Sequence, residues 1–123
     1  MFDRLKRARS ILHGARSSEL RANEVDVAIT VNAIAAGEAR IVDVRETHEW
    51  ATGRIAGAIH MPLGELPRRA RGLSPDRPVI AVCRSGRRSL VAANHLTALG
   101  FTDAKSLAGG MNAWREAGQP IER

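Results

Sequence analysis

Short apolar runs of strand length recur along this chain, and segments with helical character separate them. The clearest runs, 41–44 and 79–82, are rich in β-branched residues and end at polar turns. Strands that alternate with helices form a parallel sheet whose two faces are both covered by helices. The order of elements therefore predicts an α/β fold, a three-layer α/β/α domain with a mainly parallel five-stranded sheet.

The predicted strands are 27–29, 40–44, 58–61, 78–82 and 104–107. The predicted helices are 31–36, 47–50, 63–71, 89–99 and 110–117, with Thr30 and Thr47 as the N-caps of the first two. Helix 89–99 should bury Ala92, Leu96 and Leu99 on one face. Ligands of parallel sheets bind beyond the carboxyl ends of the strands, so we expect the site at that edge.

The 123 residues are enough for one domain with a single core. We expect residues 25–123 to form this domain and residues 1–24 to be a basic N-terminal extension, helical or disordered. Phe2, Leu5, Ile11 and Leu12 can share one helical face. This segment is interpreted as a solvated extension, as a transit segment, or as an amphipathic helix that contacts a membrane surface or a partner.

Composition limits the compartment and the partners. The apolar runs are too short to cross a bilayer, and the single cysteine excludes an internal disulfide, so we expect a cytoplasmic protein with no membrane partner. The formal net charge is +6, but the basic residues are dispersed and the chain has no tyrosine. Without clustered charge and stacking aromatics, we expect no nucleic-acid partner.

The only cysteine, Cys83, lies between the predicted strand 78–82 and the predicted helix 89–99. The turn that follows it reads Arg84-Ser85-Gly86-Arg87-Arg88-Ser89. The backbone N–H groups of such a turn and the positive end of the next helix favour thiolate over thiol, and the arginines act in the same direction. We therefore interpret Cys83 as a nucleophile. The alternative is a buried cysteine that packs as a small hydrophobic residue.

A thiolate among backbone donors and guanidinium groups suits attack on a sulfur or phosphorus centre that carries negative charge. Sulfur transfer, phosphate-ester or arsenate chemistry and redox sensing are the alternatives. Cysteine phosphatases place an arginine six residues after the nucleophile, where its planar fork holds the phosphoryl oxygens. In this chain that residue is Ser89, and the arginines are Arg84, Arg87 and Arg88. The turn is better sized for a single sulfur atom.

Several segments resemble motifs of the single-domain rhodanese family, the thiosulfate sulfurtransferases. They are 41–46 with its Asp-x-Arg turn, 49–50 with Glu-Trp, 53–62, which is similar to Gly-His-Ile-x-Gly-Ala, the loop 83–88, and 109–114 with Gly-Gly-Met-Asn-Ala-Trp. Each motif alone is weak, but their order and spacing over about 27–122 make the resemblance specific. Arg54 stands where the family usually has histidine, at a position whose role the resemblance implies is structural.

The resemblance implies a rhodanese-like fold and a sulfurtransferase that uses no cofactor and no metal. Cys83 would take sulfane sulfur from a small anionic donor such as thiosulfate or from a persulfide, and would pass it to cyanide, a thiol or a protein acceptor. Asp43 and Arg45 would brace the loop from the neighbouring strand end; the alternative is a surface ion pair. The residues implied to bind the substrate are Arg84, Ser85, Gly86, Arg87, Arg88 and Ser89.

Two other functions stay open, a non-catalytic rhodanese-like binding module and a persulfide carrier fed by another protein. The presence of Cys83 argues against the first. The four histidines lack the spacing of a metal site. His60 is interpreted as a hydrogen-bonded structural residue or as an acid or base, and Trp50 and Trp114 as packing residues.

Overall fold

The computed structural model describes residues 20–123 of the chain. The predicted helical face of Phe2, Leu5, Ile11 and Leu12 lies outside the described residues. The strands are β1 (Glu24–Val25), β2 (Arg40–Asp43), β3 (Ile59–His60), β4 (Val79–Val82) and β5 (Ala104–Leu107). The helices are α1 (Val27–Ala35), α2 (Thr47–Trp50), α3 (Leu66–Arg69), α4 (Arg87–Ala98) and α5 (Gly110–Glu116), with 3-10 turns at Leu63–Glu65 and Ala70–Gly72.

The five strands form one sheet in the order β1-β5-β4-β2-β3, and every pairing between them is parallel. β4 is the central strand. Ala81 of β4 lies between Val42 of β2 and Ser106 of β5 in the register. The predicted α/β fold with a parallel five-stranded sheet is confirmed, and its carboxyl edge is where β2, β4 and β5 all end.

Two apolar clusters cover the two faces of the sheet. Along β4, Val79 and Ala81 face the cluster that α4 contributes to, whereas Ile80 and Val82 face the cluster that contains α5 and α1 side chains. This alternation is the period of two that a strand buried on both faces requires. Cys83 continues the alternation onto the α4 side. Within residues 20–123, no helix combines the length and apolar character needed to cross a membrane.

The predicted strand 27–29 is wrong, because these residues begin α1. Asp26 is the N-cap, and its carboxylate accepts a hydrogen bond from the Ile29 amide at 2.9 Å. Thr30, the predicted cap, is fully buried inside the helix, where its hydroxyl donates to the Asp26 carbonyl. The β-branched composition favoured a strand, but a cap that satisfies one of the first helical amides favours the helix. The edge strand β1 lies just before it.

Two other helix predictions are corrected by the structure. Helix α4 begins at Arg87 rather than at residue 89 and buries Ala92 and Leu96, but Leu99 is 50% exposed. The N-cap of α2 is Glu46 rather than Thr47, and the Glu46 amide donates to the carboxylate of its third helical residue at 3.0 Å. Both errors lie at helix ends, where local sequence patterns are least decisive.

Candidate active site

Cys83 follows the last residue of the central strand β4, at the carboxyl edge of the sheet. Its side chain is 1% exposed and packs among the residues on the α4 side. The chain then turns through residues 84–86, and α4 begins at Arg87. The sulfur is therefore enclosed by a short loop between the sheet and the helix, at the edge where parallel sheets bind ligands.

Three groups of this loop and of the first turn of α4 lie within hydrogen-bonding distance of the Cys83 sulfur. The amide nitrogens of Gly86 and Ser89 are 3.1 and 3.3 Å away, and the Ser89 hydroxyl is 3.4 Å away. Gly86 has a φ of 104°, and a Cβ there would lie 3.0 Å from the Gly109 nitrogen. Glycine accepts this conformation and this contact without strain, so Gly86 allows the two amides to converge on the sulfur.

The surroundings of Cys83 act on its ionisation in opposite directions. Burial raises the pKa of the thiol, whereas hydrogen bonds from the Ser89 hydroxyl and from the amides of Ser89, Gly86 and Ser85 lower it. The net result is a lowered pKa. These donors belong to the loop itself, so stabilisation of the thiolate needs no neighbouring histidine.

Helix α5 holds the loop from its outer side. The amide of Met111 donates to the carbonyl of Cys83 at 2.8 Å, and the amide of Asn112 donates to the carbonyl of Arg84 at 3.0 Å. Because a trans peptide points its N–H opposite to its C=O, these bonds turn the two adjoining amides away from α5 and toward the interior of the loop. Gly110 makes the close approach possible, since a Cβ there would collide with the Cys83 carbonyl oxygen.

A hydroxyl of strand β5 contacts the Ser89 hydroxyl that faces the sulfur. Ser106 Oγ lies 2.8 Å from Ser89 Oγ, and both serines are fully buried. Ser106 is the register partner of Ala81, so it lies beside β4, the strand that Cys83 follows. Nothing in the predicted site pointed to Ser106, which is 17 positions from Ser89. The available signal was a polar residue within a predicted buried strand.

The three arginines of the loop have different surroundings. Arg84 and Arg87 are exposed, whereas Arg88 forms a two-point ion pair with Glu49 of α2, with N–O distances of 2.7 and 2.9 Å. The hydrogen bond from Arg88 lowers the pKa of Glu49 to about 2, and the same bond raises the pKa of Arg88. Arg88 is thus held by α2. Its carboxylate partner is 39 positions away and appeared in the sequence only as part of a motif.

Asp43 and Arg45 form an ion pair at the end of β2, with a shortest N–O distance of 2.7 Å and side chains that are 1% and 2% exposed. The Arg45 guanidinium also donates to the carbonyls of Glu49 at 3.1 Å and Gly53 at 2.8 Å. The pair is therefore internal rather than on the surface. It joins the end of β2 to α2, the helix that holds Arg88.

His60, Trp50 and Trp114 make contacts that stabilise the fold. His60 Nε2 lies 2.8 Å from the carbonyl oxygen of Arg45, and its ring stacks on Trp50 with 4.6 Å between centroids. The Arg54 guanidinium lies over the Trp50 ring at 4.7 Å, and Trp114 is 4% exposed. Among residues 20–123, no group of three or more His, Cys, Asp or Glu side chains is arranged to hold a metal ion.

The sequence pattern of the Rhodanese-like domain matches residues 26–117, which include the whole loop around Cys83 and the Asp43–Arg45 pair. This chain belongs to the rhodanese-like family. A solved structure of the human single-domain sulfurtransferase TSTD1 resembles this rhodanese-like chain with a TM-score of 0.70 and 30% identity, over 78% of this chain and 97% of that one. The predicted family and the predicted rhodanese-like fold are confirmed.

Curated relatives of this rhodanese-like chain include proteins named as sulfurtransferases. It is 39% identical over 75 residues to the thiosulfate sulfurtransferase GlpE of Stutzerimonas stutzeri, over 61% of this chain and 69% of the relative. It is 38% identical over 81 residues to a sulfurtransferase of Allochromatium vinosum, over 66% of this chain and 76% of the relative. These similarities support a transferase within the rhodanese-like family.

Proposed function

We propose that this protein is a sulfurtransferase that carries sulfane sulfur as a persulfide on Cys83. The observation that carries the proposal is the convergence of two amides and one hydroxyl on a buried cysteine sulfur. Arg84 and Ser85, next to these buried groups, are exposed, and the proposal has a small donor enter on their side of the loop. Donors fixed in this way stabilise a thiolate and also the terminal sulfur of a persulfide.

Sulfur uptake in this proposal is a displacement at sulfur. The Cys83 thiolate attacks the sulfane sulfur of thiosulfate, a bond forms between the two sulfur atoms, and the S–S bond of the donor breaks. Sulfite leaves with the electron pair of that bond. A thiolate and a thiosulfate dianion thus give a persulfide anion and a sulfite dianion, so charge and electrons balance. The amides of residues 84–89 hold the negative sulfur.

Sulfur release follows the same chemistry in the other direction. A thiophilic acceptor attacks the outer sulfur of the persulfide, and the electron pair of the broken bond returns to Cys83 as thiolate. Cyanide gives thiocyanate, and a thiol gives a new persulfide. Each step is a two-electron displacement between sulfur and the acceptor, so the chain needs only its own residues.

The exposed arginines attract the anionic donor in this proposal. Arg84 and Arg87 are exposed at the loop, whereas the charge of Arg88 is paired with Glu49. Positive charge around an opening raises the local concentration of an anion. The Asp43–Arg45 pair has a positioning role, because it anchors α2, the helix whose Glu49 holds Arg88.

Steady-state turnover tests the proposal. The protein with thiosulfate and cyanide should form thiocyanate, and Cys83→Ser should abolish the reaction while urea unfolding stays close to that of the parent. Cys83-dependent hydrolysis of an aryl phosphate without thiocyanate formation would replace the proposal by a phosphatase.

Two further outcomes separate the remaining functions. Loading of Cys83 by a persulfidated protein, without turnover of thiosulfate, would assign a protein-fed persulfide carrier. Loading by neither donor, in folded protein with a free thiol, would assign a binding module and overturn the sulfurtransferase proposal.

A further inference from the structure

A chain of two buried hydroxyls leads from the Cys83 sulfur into the sheet. Ser89 Oγ lies 3.4 Å from the sulfur and 2.8 Å from Ser106 Oγ. Both serines are fully buried. Within residues 20–123, Ser89 is the one hydrogen-bond partner of the Ser106 side chain. The hydrogen-bonded path from the Ser106 hydroxyl to the sulfur therefore runs through Ser89.

The directions of the two hydroxyl protons depend on the ionisation of Cys83. With a thiolate, Ser106 donates to Ser89 and Ser89 donates to the sulfur, so every proton has an acceptor. With a thiol, the three groups carry three protons but share only two contacts, so one of these protons has no acceptor within the chain of hydroxyls. A buried donor without an acceptor is unfavourable, so the chain of hydroxyls is complete when Cys83 is ionised.

We infer that Ser106 is a positioning residue, whose hydroxyl orders Ser89 so that the Ser89 proton points at the Cys83 sulfur. The inference rests on the proposed function, since the thiolate stabilised in this way is the attacking group. It agrees with the opposing effects at Cys83: burial raises the pKa of the thiol, and the Ser89 hydroxyl makes the largest of the contributions that lower it.

Charged side chains surround the Cys83 sulfur, and substitution of Ser106 leaves all of them in place. Arg88 interacts electrostatically with Cys83, and Glu49 pairs with Arg88. The charged and titratable groups on the elements packed around the sulfur are Arg84 of the loop, Arg87, Arg88 and His95 of α4, His48 and Glu49 of α2, Arg40 and Asp43 of β2 with Arg45 just beyond its end, Glu24 of β1, Lys105 of β5, and Arg115 and Glu116 of α5. A change in the pKa of Cys83 after substitution of Ser106 therefore reports on the hydroxyl.

This chain allows the ionisation of Cys83 to be measured without interference. It has one cysteine and no tyrosine, so alkylation by iodoacetamide and the ultraviolet absorbance of the thiolate, followed against pH, report on Cys83 alone. Ser106→Ala should raise the pKa of Cys83 by about half a unit to one unit, the size expected for loss of one hydrogen bond. Ser89→Ala should raise it by about one to two units, because that bond is made to the charged sulfur.

Matched variants separate the hydroxyl from its packing. Ser106→Thr and Ser106→Val have side chains of the same shape, and only the first keeps a hydroxyl, so the pKa of Cys83 should be lower in Ser106→Thr. Thr30→Val removes a fully buried hydroxyl of α1, which donates to the Asp26 carbonyl, and should leave the pKa of Cys83 unchanged. Equal Cys83 pKa values in the Thr and Val variants at position 106 would overturn the inference, even if Ser106→Ala fails to fold.

A double-mutant cycle tests whether Ser106 acts through Ser89. In a Ser89→Ala background, Ser106→Ala should cause no further change in the pKa of Cys83, because the hydroxyl that it orders is gone. Additive pKa changes would show that Ser106 acts on the sulfur by another route and would overturn the inference. A merely structural role would change the free energy of unfolding without this dependence on Ser89.

The same variants distinguish this inference from the proposed function. At pH values below the parent's Cys83 pKa, Ser106→Ala should take up sulfur from thiosulfate about three- to tenfold more slowly, in proportion to its smaller thiolate fraction, and higher pH should restore the parent rate. If the parent takes up no sulfur while the pKa shifts hold, the sulfurtransferase proposal fails and the role of Ser106 stands. If sulfur uptake holds and the pKa does not respond to Ser106, the inference fails and the proposal stands.

Discussion

The carbonyl oxygen of Cys83 accepts a hydrogen bond from the Met111 amide, 2.8 Å away, so the backbone of the loop is fixed to the first turn of α5. Gly110, with a φ of 54°, precedes Met111 and lies against the same carbonyl group. The Gly-Gly motif thus has a physical role in this chain, because it lets a helix terminus approach the loop closely enough to orient the peptides around the sulfur.

Replacement of Gly110 by alanine should displace the loop. The new Cβ would meet the Cys83 carbonyl and lie 2.7 Å from the Arg84 carbonyl carbon, in a backbone conformation that is strained for alanine. We expect sulfur uptake to fall on the order of tenfold to a hundredfold, and stability to fall by about 1–3 kcal/mol. Thiocyanate formation and urea unfolding measure the two effects. Gly72→Ala is the control, because its Cβ meets nothing within 4 Å. If folded Gly110→Ala takes up sulfur as fast as Gly72→Ala, the role of α5 is contradicted.

Asp43→Asn should destabilise the fold far more than loss of a surface ion pair. The substitution leaves the Arg45 guanidinium, which is 2% exposed, without its carboxylate, a change that typically costs about 3–5 kcal/mol. Asp103→Asn is the matched control, since its carboxylate lies 3.7 Å from Lys105 Nζ on the surface and should contribute about 1 kcal/mol or less. Urea denaturation at neutral pH measures the free energy of unfolding of both variants. Similar losses of stability would show that Asp43 is no more than a surface partner.

Glu49→Gln should lose stability in a pH-dependent way. The hydrogen bond from Arg88 lowers the pKa of Glu49 to about 2 from 4.5. A lowered folded-state pKa gives stability that is complete above 4.5 and is lost as the pH falls toward 2. The parent should therefore be the more stable protein near neutral pH, and its advantage should shrink across this acid range. Urea unfolding at several pH values measures the difference in stability between the parent and Glu49→Gln, and substitution of the exposed Glu38 by Gln is the control. An advantage that is constant with pH would exclude the ion pair as its source.

Arg84→Ala and Arg87→Ala should weaken the use of thiosulfate without changing stability. Both side chains are exposed, so their loss removes positive charge around the loop and little packing. We expect several-fold higher KM values at low ionic strength, with a smaller difference at high salt because screening removes the attraction. Arg71→Ala removes the same charge from the exposed turn after α3 and serves as control. If all three variants share one KM, local charge at the loop does not guide the donor.

The parts of the fold that local sequence determines were predictable. The β-branched run of β4, the cysteine after it and Gly86 together predicted that Cys83 lies in a strand-to-helix turn, and the structure has Cys83 at that position. The prediction failed where one cap outweighs the local composition. Residues 27–29 have the composition of a strand, but the Asp26 carboxylate caps α1 by accepting a hydrogen bond from the Ile29 amide, and these residues form a helix.

The parts of the site that depend on tertiary contacts could not be predicted in the same way. Glu49 reaches Arg88 across 39 positions, and Ser106 reaches Ser89 across 17. No periodicity links such residues, because the strand order of the sheet brings them together. The sequence pattern did not distinguish Arg88 from Arg84 and Arg87. The position of Glu49 in the fold does, because Glu49 pairs with Arg88.

The intact mass of the purified protein before and after thiosulfate, with Cys83→Ser measured in parallel, tests the persulfide on Cys83 most directly. We predict that the parent gains the mass of one sulfur atom, that cyanide removes it, and that Cys83→Ser gains none. No gain in folded parent protein whose Cys83 still reacts with iodoacetamide would contradict the proposed sulfurtransferase.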